Sequence, residues 1–128
     1  MAAHSDIEVT GIAISERSDN WEQTLTDLIN GTADHLGLDI EFGPDDINVN
    51  IDYFGEGYAA PTEGMVEAIK LVAQTEGVLL DPIYTGKGMA GLIDLIKKGV
   101  FTRDDKVVFW HTGGVPSLFP PQFRELFI

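Results

Sequence analysis

Cysteine is absent from all 128 residues, which excludes disulfides and thiolate metal sites. Basic residues are scarce: eight Lys and Arg stand against 21 Asp and Glu, for a net charge of −13. Such a field repels nucleic acid and anionic membranes, so neither is expected as a partner. Its plain meaning is solubility, and adaptation to a high-salt habitat is the alternative. No apolar run approaches the ~20 residues that a membrane-spanning helix needs. The start, MAAHSDIEV, has neither the basic segment nor the apolar core of a signal peptide. A cytoplasmic location is expected. The three histidines, His4, His35 and His111, lack metal-ligand spacing, so no metal is expected, and His4 and His35 read as surface residues.

Several catalytic signatures are missing as well. There is no G-x-S-x-G elbow, so a hydrolase triad has no support. The TGKG of residues 85–88 lacks the upstream glycine and the following Ser/Thr of a phosphate-binding P-loop. No dinucleotide-binding glycine fingerprint occurs. The pairs Asp45-Asp46 and Asp104-Asp105 precede expected strands and read as turn and solubility residues.

What is present is an apolar fraction of 44%, enough for a core, in a chain the length of one segment, residues 1–128. IEVTGIAIS, from Ile7, is rich in β-branched residues and reads as a buried strand. A helix is expected next, with Trp21, Leu25, Leu28, Ile29 and Leu36 on one face, Asp19 or Asn20 capping its start and Gly37 ending it. Gly31 inside it costs about 1 kcal/mol relative to alanine. INVNIDY, from Ile47, alternates strictly and reads as a strand with Asn48, Asn50 and Asp52 on a wet face.

After the loop FGEGYAAPT, Thr62 caps a helix whose buried face holds Met65, Ile69, Val72 and Ala73, and Gly77 ends it. VLLD, from Val78, and KVVFW, from Lys106, read as short apolar strands. Between them Met89, Leu92, Ile93, Ile96 and Val100 recur at helical spacing, and Gly99 stops the helix. The tail PSLFPPQFRELF is expected to form one or two helical turns, broken at Pro120 and Pro121.

Strand and helix alternate, which predicts an α/β fold with a partial parallel twisted sheet and flanking helices. Ligands in such sheets bind beyond the carboxyl ends of the strands. Two turns sit at such ends: PIYTGK and HTGG. From the residues alone, the stretch LLDPIYTGKGMAGL could be a catalytic loop or a capped helix. Tyr84 could be a site residue or a half-buried loop tyrosine.

GEGY, the run TEGVLLDPIYTGKGMAGLIDL and HTGGVPSLF stand in that order at characteristic spacing. Together they resemble the carboxyl-terminal part of a pyridoxal-phosphate enzyme family. That family holds the D-cysteine desulfhydrases, the L-cysteate sulfo-lyases and the 1-aminocyclopropane-1-carboxylate (ACC) deaminases. The resemblance covers nearly the whole chain and is weakest over residues 16–46. It implies a fragment of the large domain of a fold type II, tryptophan-synthase-β-like enzyme. In the family, the lysine that forms the Schiff base and the glycine-rich phosphate loop lie upstream of the matched region. None of Lys70, Lys87, Lys97, Lys98 and Lys106 matches that lysine, and Lys87 reads as a first-turn surface residue. The resemblance therefore implies pyridoxal phosphate in the complete enzyme, no covalent attachment to this chain, and no activity of this chain alone.

By the same resemblance, Tyr84 lies against the cofactor ring near the substrate, and Tyr58 stands near the substrate pocket. Thr85 faces the cofactor while capping the helix that begins near Gly86. Thr112 stands near the pyridine nitrogen, and Gly113, with Gly114, allows close backbone approach. The deaminases carry Glu and Leu where this chain has Thr85 and Thr112. Those departures imply a sulfur-releasing β-eliminase acting on a small amino acid, with ACC deamination as the alternative. A further alternative is a non-catalytic module that pairs with an amino-terminal part on another chain, or with copies of itself.

Overall fold

The computed structural model describes residues 7–128, so His4 lies outside the described residues. These residues form two compact units. The first comprises the described residues up to Gly11 together with Arg17–Asn50, and the second comprises Ile12–Glu16 and Ile51–Ile128.

In the first unit, α1 (Trp21–His35) buries Thr26 and Ala33, two turns apart on one stripe. Asn30 lies between them. Its amide donates to the Phe42 carbonyl at 2.9 Å and accepts from the Phe42 N–H at 2.8 Å, tying the helix to the chain that follows. Trp21, Leu25 and Ile29 are half-buried, but Leu28 is 65% exposed and Leu36 64% exposed. The expected apolar face is therefore narrower than its pattern. Leu28 is rotated about 200° from Thr26, and Leu36 is the C-cap residue. Asn20 occupies the N-cap without a side-chain bond. Gly37 ends the helix as expected, with φ of 67°. The Leu38 N–H reaches the Ala33 carbonyl and the Gly37 N–H the Asp34 carbonyl, which is the Schellman arrangement.

Gly31 is exposed on this helix, and a Cβ there would meet nothing within 4 Å. Its helix penalty is thus not offset by any close contact. Gly31→Ala is expected to stabilise the chain by about 0.5–1 kcal/mol, read as a higher urea midpoint.

The two expected strands at residues 7–15 and 47–53 shorten to β1 (Gly11–Ile12) and β2 (Val49–Asn50), which pair. The Gly11 N–H donates to the Asn48 carbonyl at 2.9 Å. Asn48 is exposed, as the alternation predicts, and its amide bonds to Glu8 and Thr10.

The second unit is built on α2 (Glu63–Glu76) and α3 (Thr85–Lys97). The Thr62 hydroxyl accepts from the Met65 N–H at 3.2 Å, so the expected cap forms. Gly77 ends α2 with φ of 67°. Met65, Ile69 and Leu80 are the buried core, with Val72, Met89 and Phe109 packed against them. At the end of α3, the Val100 N–H bonds to the Leu95 carbonyl across Gly99, a second Schellman stop. The tail forms a 3-10 turn, Val115–Leu118, then α4 (Pro121–Arg124) and a second 3-10 turn, Glu125–Phe127. Pro121 starts α4 rather than breaking it, because a first-turn N–H needs no partner.

VLLD and KVVFW were expected as strands, and neither has strand pairing. Leu80 is in the core, whereas Val108 is 83% exposed and Trp110 68% exposed. An apolar run becomes a strand only when a neighbour supplies the ladder, and among the described residues none does. Among the described residues, no helix is long and apolar enough to cross a membrane.

Candidate active site

The candidate site lies in the second unit, at the start of α3. Four N–H groups open this turn, those of Ile83, Tyr84, Thr85 and Gly86. A helix start leaves such groups without partners. One residue, Asp81, takes all four. Its carboxylate accepts from Ile83 at 2.8 Å, Tyr84 at 2.9 Å and Thr85 at 2.7 Å, and its main-chain carbonyl accepts from Gly86 at 2.8 Å.

The Thr85 hydroxyl donates to the Asp81 carboxylate at 2.6 Å and accepts from the Asp81 N–H at 2.8 Å. Asp81 is fully buried. Burial pushes its carboxyl up, but the hydrogen bonds from Thr85, Tyr84 and Ile83 outweigh it and hold the group below the usual aspartate range. The helix starts at Thr85, and Asp81 supplies the cap expected of Thr85. Thr85 itself is 3% exposed, with its hydroxyl turned to Asp81.

Tyr84 projects from this turn and is 40% exposed. Its hydroxyl is hydrogen-bonded to that of Tyr58, and the two rings meet edge to face with centroids 6.0 Å apart. The bond to Tyr58 raises the Tyr84 phenol above its ordinary range, with smaller contributions from burial and from the charges of Tyr58 and Asp81. The pair can hold a proton and pass it along one hydrogen bond.

The turn at 111–114 is anchored to the same place. The His111 ring bonds through Nε2 to the Leu79 carbonyl at 3.0 Å, and its Nδ1 accepts from the Gly113 N–H at 3.0 Å. Nδ1 accepts, so Nε2 carries the proton. Gly113 and Gly114 have φ of 93° and 96°, a region that favours glycine. A Cβ on Gly114 would lie 2.6 Å from the Asp81 carboxyl carbon, so the turn packs directly on that carboxylate. Thr112 is exposed on the turn.

The structure thus brings Tyr58 and Tyr84 into contact and joins Thr85 to Gly114 through Asp81. Among the described residues, no hydrogen bond or ring contact joins Thr112 to the tyrosines. A groove of about 470 Å³ in this unit is lined by Leu71, Val72, Met89, Phe109 and His111 among others, and by none of the expected site residues. Among the described residues no cluster of potential metal ligands occurs.

Three residues with work to do here escaped the sequence reading. Asp81 carried a local signal, an aspartate four residues before a threonine at a helix start. His111 was read only for metal spacing. Lys87 was read as a surface lysine and is instead fully buried. Its Nζ donates to the carbonyls of Phe54 at 2.7 Å, Gly57 at 2.9 Å and Ile14 at 3.5 Å.

Residues 2–113 match the family model described as pyridoxal-phosphate dependent enzyme. The chain is 43% identical over 114 residues to the D-cysteine desulfhydrases of Salmonella paratyphi C and Salmonella choleraesuis, covering 89% of this chain and 34% of theirs. It spans about a third of the length of these relatives. It also superposes on the crystal structure of an ACC deaminase homologue with a TM-score of 0.79 and 32% identity, over 94% of this chain and 36% of that one. That likeness bears out the partial α/β fold of type II. The chain belongs to the family of pyridoxal-phosphate-dependent enzymes.

Proposed function

We propose that this chain is the part of a β-eliminating lyase that holds Tyr58, Tyr84 and the 111–114 turn against the cofactor. The substrate is a sulfur amino acid of the D-cysteine or L-cysteate kind. The α-proton and the sulfur group leave, and hydrolysis then yields pyruvate and ammonia. The observation that carries this reading is the 43% identity to D-cysteine desulfhydrases, together with threonine at 85 and 112.

The residues present fit one side of pyridoxal phosphate. An exposed phenol edge, a turn with two glycines at positive φ and an exposed hydroxyl at Thr112 suit a flat heterocycle. They do not supply its covalent anchor. Lys87 has each of its three protons directed at a carbonyl. Bound cofactor supplies the electron sink for loss of the α-proton. Tyr84, hydrogen-bonded to Tyr58, would stand on the substrate side and hold or move that proton at its Oη. The Thr112 hydroxyl would hold the ring nitrogen, and a neutral partner there would leave that nitrogen largely unprotonated, which suits a good sulfur leaving group. The compartment proposed is the cytoplasm.

A chimera in which this chain replaces the matching third of a D-cysteine desulfhydrase tests the substrate class. Sulfide from D-cysteine or sulfite from L-cysteate, each with pyruvate, is expected. Release of 2-oxobutyrate from ACC as the main product would overturn the reading in favour of a deaminase.

A second reading is an interaction module that pairs with a separate amino-terminal part. It is favoured by the apolar side chains exposed on the unpaired segments: Val78 and Leu79 on one, Val107, Val108 and Trp110 on the other. Exposed apolar runs of this kind seek a strand partner.

A further inference from the structure

Lys87 is a fully buried cation. Among the described residues the ion pair is Lys98 with Asp94, and Lys87 makes none. Its ammonium has three protons and three carbonyls to receive them, those of Phe54, Gly57 and Ile14. Burial pushes the Lys87 amine down, so the site opposes the charge that these carbonyls favour. A lone buried cation is costly to keep, and a methionine would fill the same stem without that cost.

The two shortest of these bonds go to the loop that carries Tyr58. That loop supports itself poorly. Gly55, Gly57 and Ala59 all have positive φ, and the backbone bond closing it runs from the Ala60 N–H to the Gly57 carbonyl at 3.3 Å. The Gly57 carbonyl accepts that bond and also the bond from Lys87. The next residue, Tyr58, is 57% exposed, and its hydroxyl meets that of Tyr84.

Both partners of the phenol contact thus depend on the first turn of α3. Tyr84 is fixed by Asp81 at the start of the turn, and Tyr58 is fixed by Lys87 two residues into it. We propose that Lys87 is a positioning residue: by binding the Phe54 and Gly57 carbonyls it holds the Tyr58 loop so that Tyr58 meets Tyr84. This rests on the reading of the two tyrosines as site residues. Its test reads the contact itself and not turnover, so the two can fail separately.

The test uses the 128-residue chain with ¹³Cζ-labelled tyrosine, followed by NMR through a pH titration. In Lys87→Met the Tyr84 titration is expected to fall toward the ordinary tyrosine range, and Tyr58→Phe is expected to do the same. Combining the two substitutions should add no further shift. A folded Lys87→Met chain whose Tyr84 titrates as in the parent overturns the proposal, because a merely structural lysine would change stability and leave that titration alone. If Lys87→Met does not fold, amine labelling of the unmodified chain decides. Lys87 is expected to react at least about tenfold more slowly than Lys70 and Lys106. Equal rates would mean that the carbonyls do not hold it, and the proposal fails.

Discussion

Asp81→Ala is expected to lower folding stability by about 3–5 kcal/mol. The side chain is fully buried, and its carboxylate satisfies three N–H groups and one hydroxyl at 2.6–2.9 Å. Alanine leaves those donors without an acceptor and opens a cavity beneath Gly114. Asp81→Asn retains one acceptor oxygen but presents an amide donor to the others, so it recovers only part of the loss.

The pH dependence follows from the direction of the shift. Burial alone would raise the Asp81 carboxyl, yet the bonds from Thr85, Tyr84 and Ile83 hold its folded-state value below the ordinary one. A depressed carboxyl contributes stability that is fully present above the unfolded value of about 3.9 and is lost as pH falls through the folded value. Asp94 and Asp105 are also lowered, so the whole chain weakens in acid. The specific signal is the gap in urea midpoint between parent and Asp81→Asn. It should be constant above about pH 5 and narrow as pH falls below about 4. A gap that holds its full size into that acid range would mean the Asp81 charge is not what holds the turn.

Gly86→Ala is expected to cost about 2–4 kcal/mol. A Cβ there would lie 2.6 Å from the Asp81 carbonyl oxygen and 2.9 Å from both Ile69 Cδ1 and Met65 Cγ. The first contact is with the acceptor that Gly86 itself uses, and the other two are with the core of the unit. Nothing there can move without loosening either the cap or the packing of α2 on α3. Gly31→Ala is the control, being the same substitution in open space. Thermal or urea unfolding of the two variants should move in opposite directions, and a neutral Gly86→Ala would show that the start of α3 does not press on α2.

Helices were the part most legible in the chain. Their signals are local: an apolar period, Thr62 at one start, and Gly37, Gly77 and Gly99 at the stops. The strands were legible only as apolar runs. Val107 and Val108 favour a strand but do not make one, since the partner is not written in the run itself. The site divides in the same way. Tyr84 and the HTGG turn stood out through motifs, but the contact between Tyr58 and Tyr84 joins residues 26 apart. Lys87 was misread for the same reason. Lysine is ordinarily exposed, and the carbonyls that hold it come from 30, 33 and 73 residues away. Asp81 was local and still overlooked, as was the short bond from Gly113 to the His111 ring.

Proton transfer by the paired phenols of Tyr58 and Tyr84 is the role proposed for the substrate side of the site. It is tested most directly by Tyr84→Phe in the desulfhydrase chimera. The chimera is expected still to fold and still to take up pyridoxal phosphate, but to release sulfide about 100-fold more slowly, the range for loss of a positioned proton-transfer group. A Tyr84→Phe chimera that turns over D-cysteine at the parent rate would contradict it.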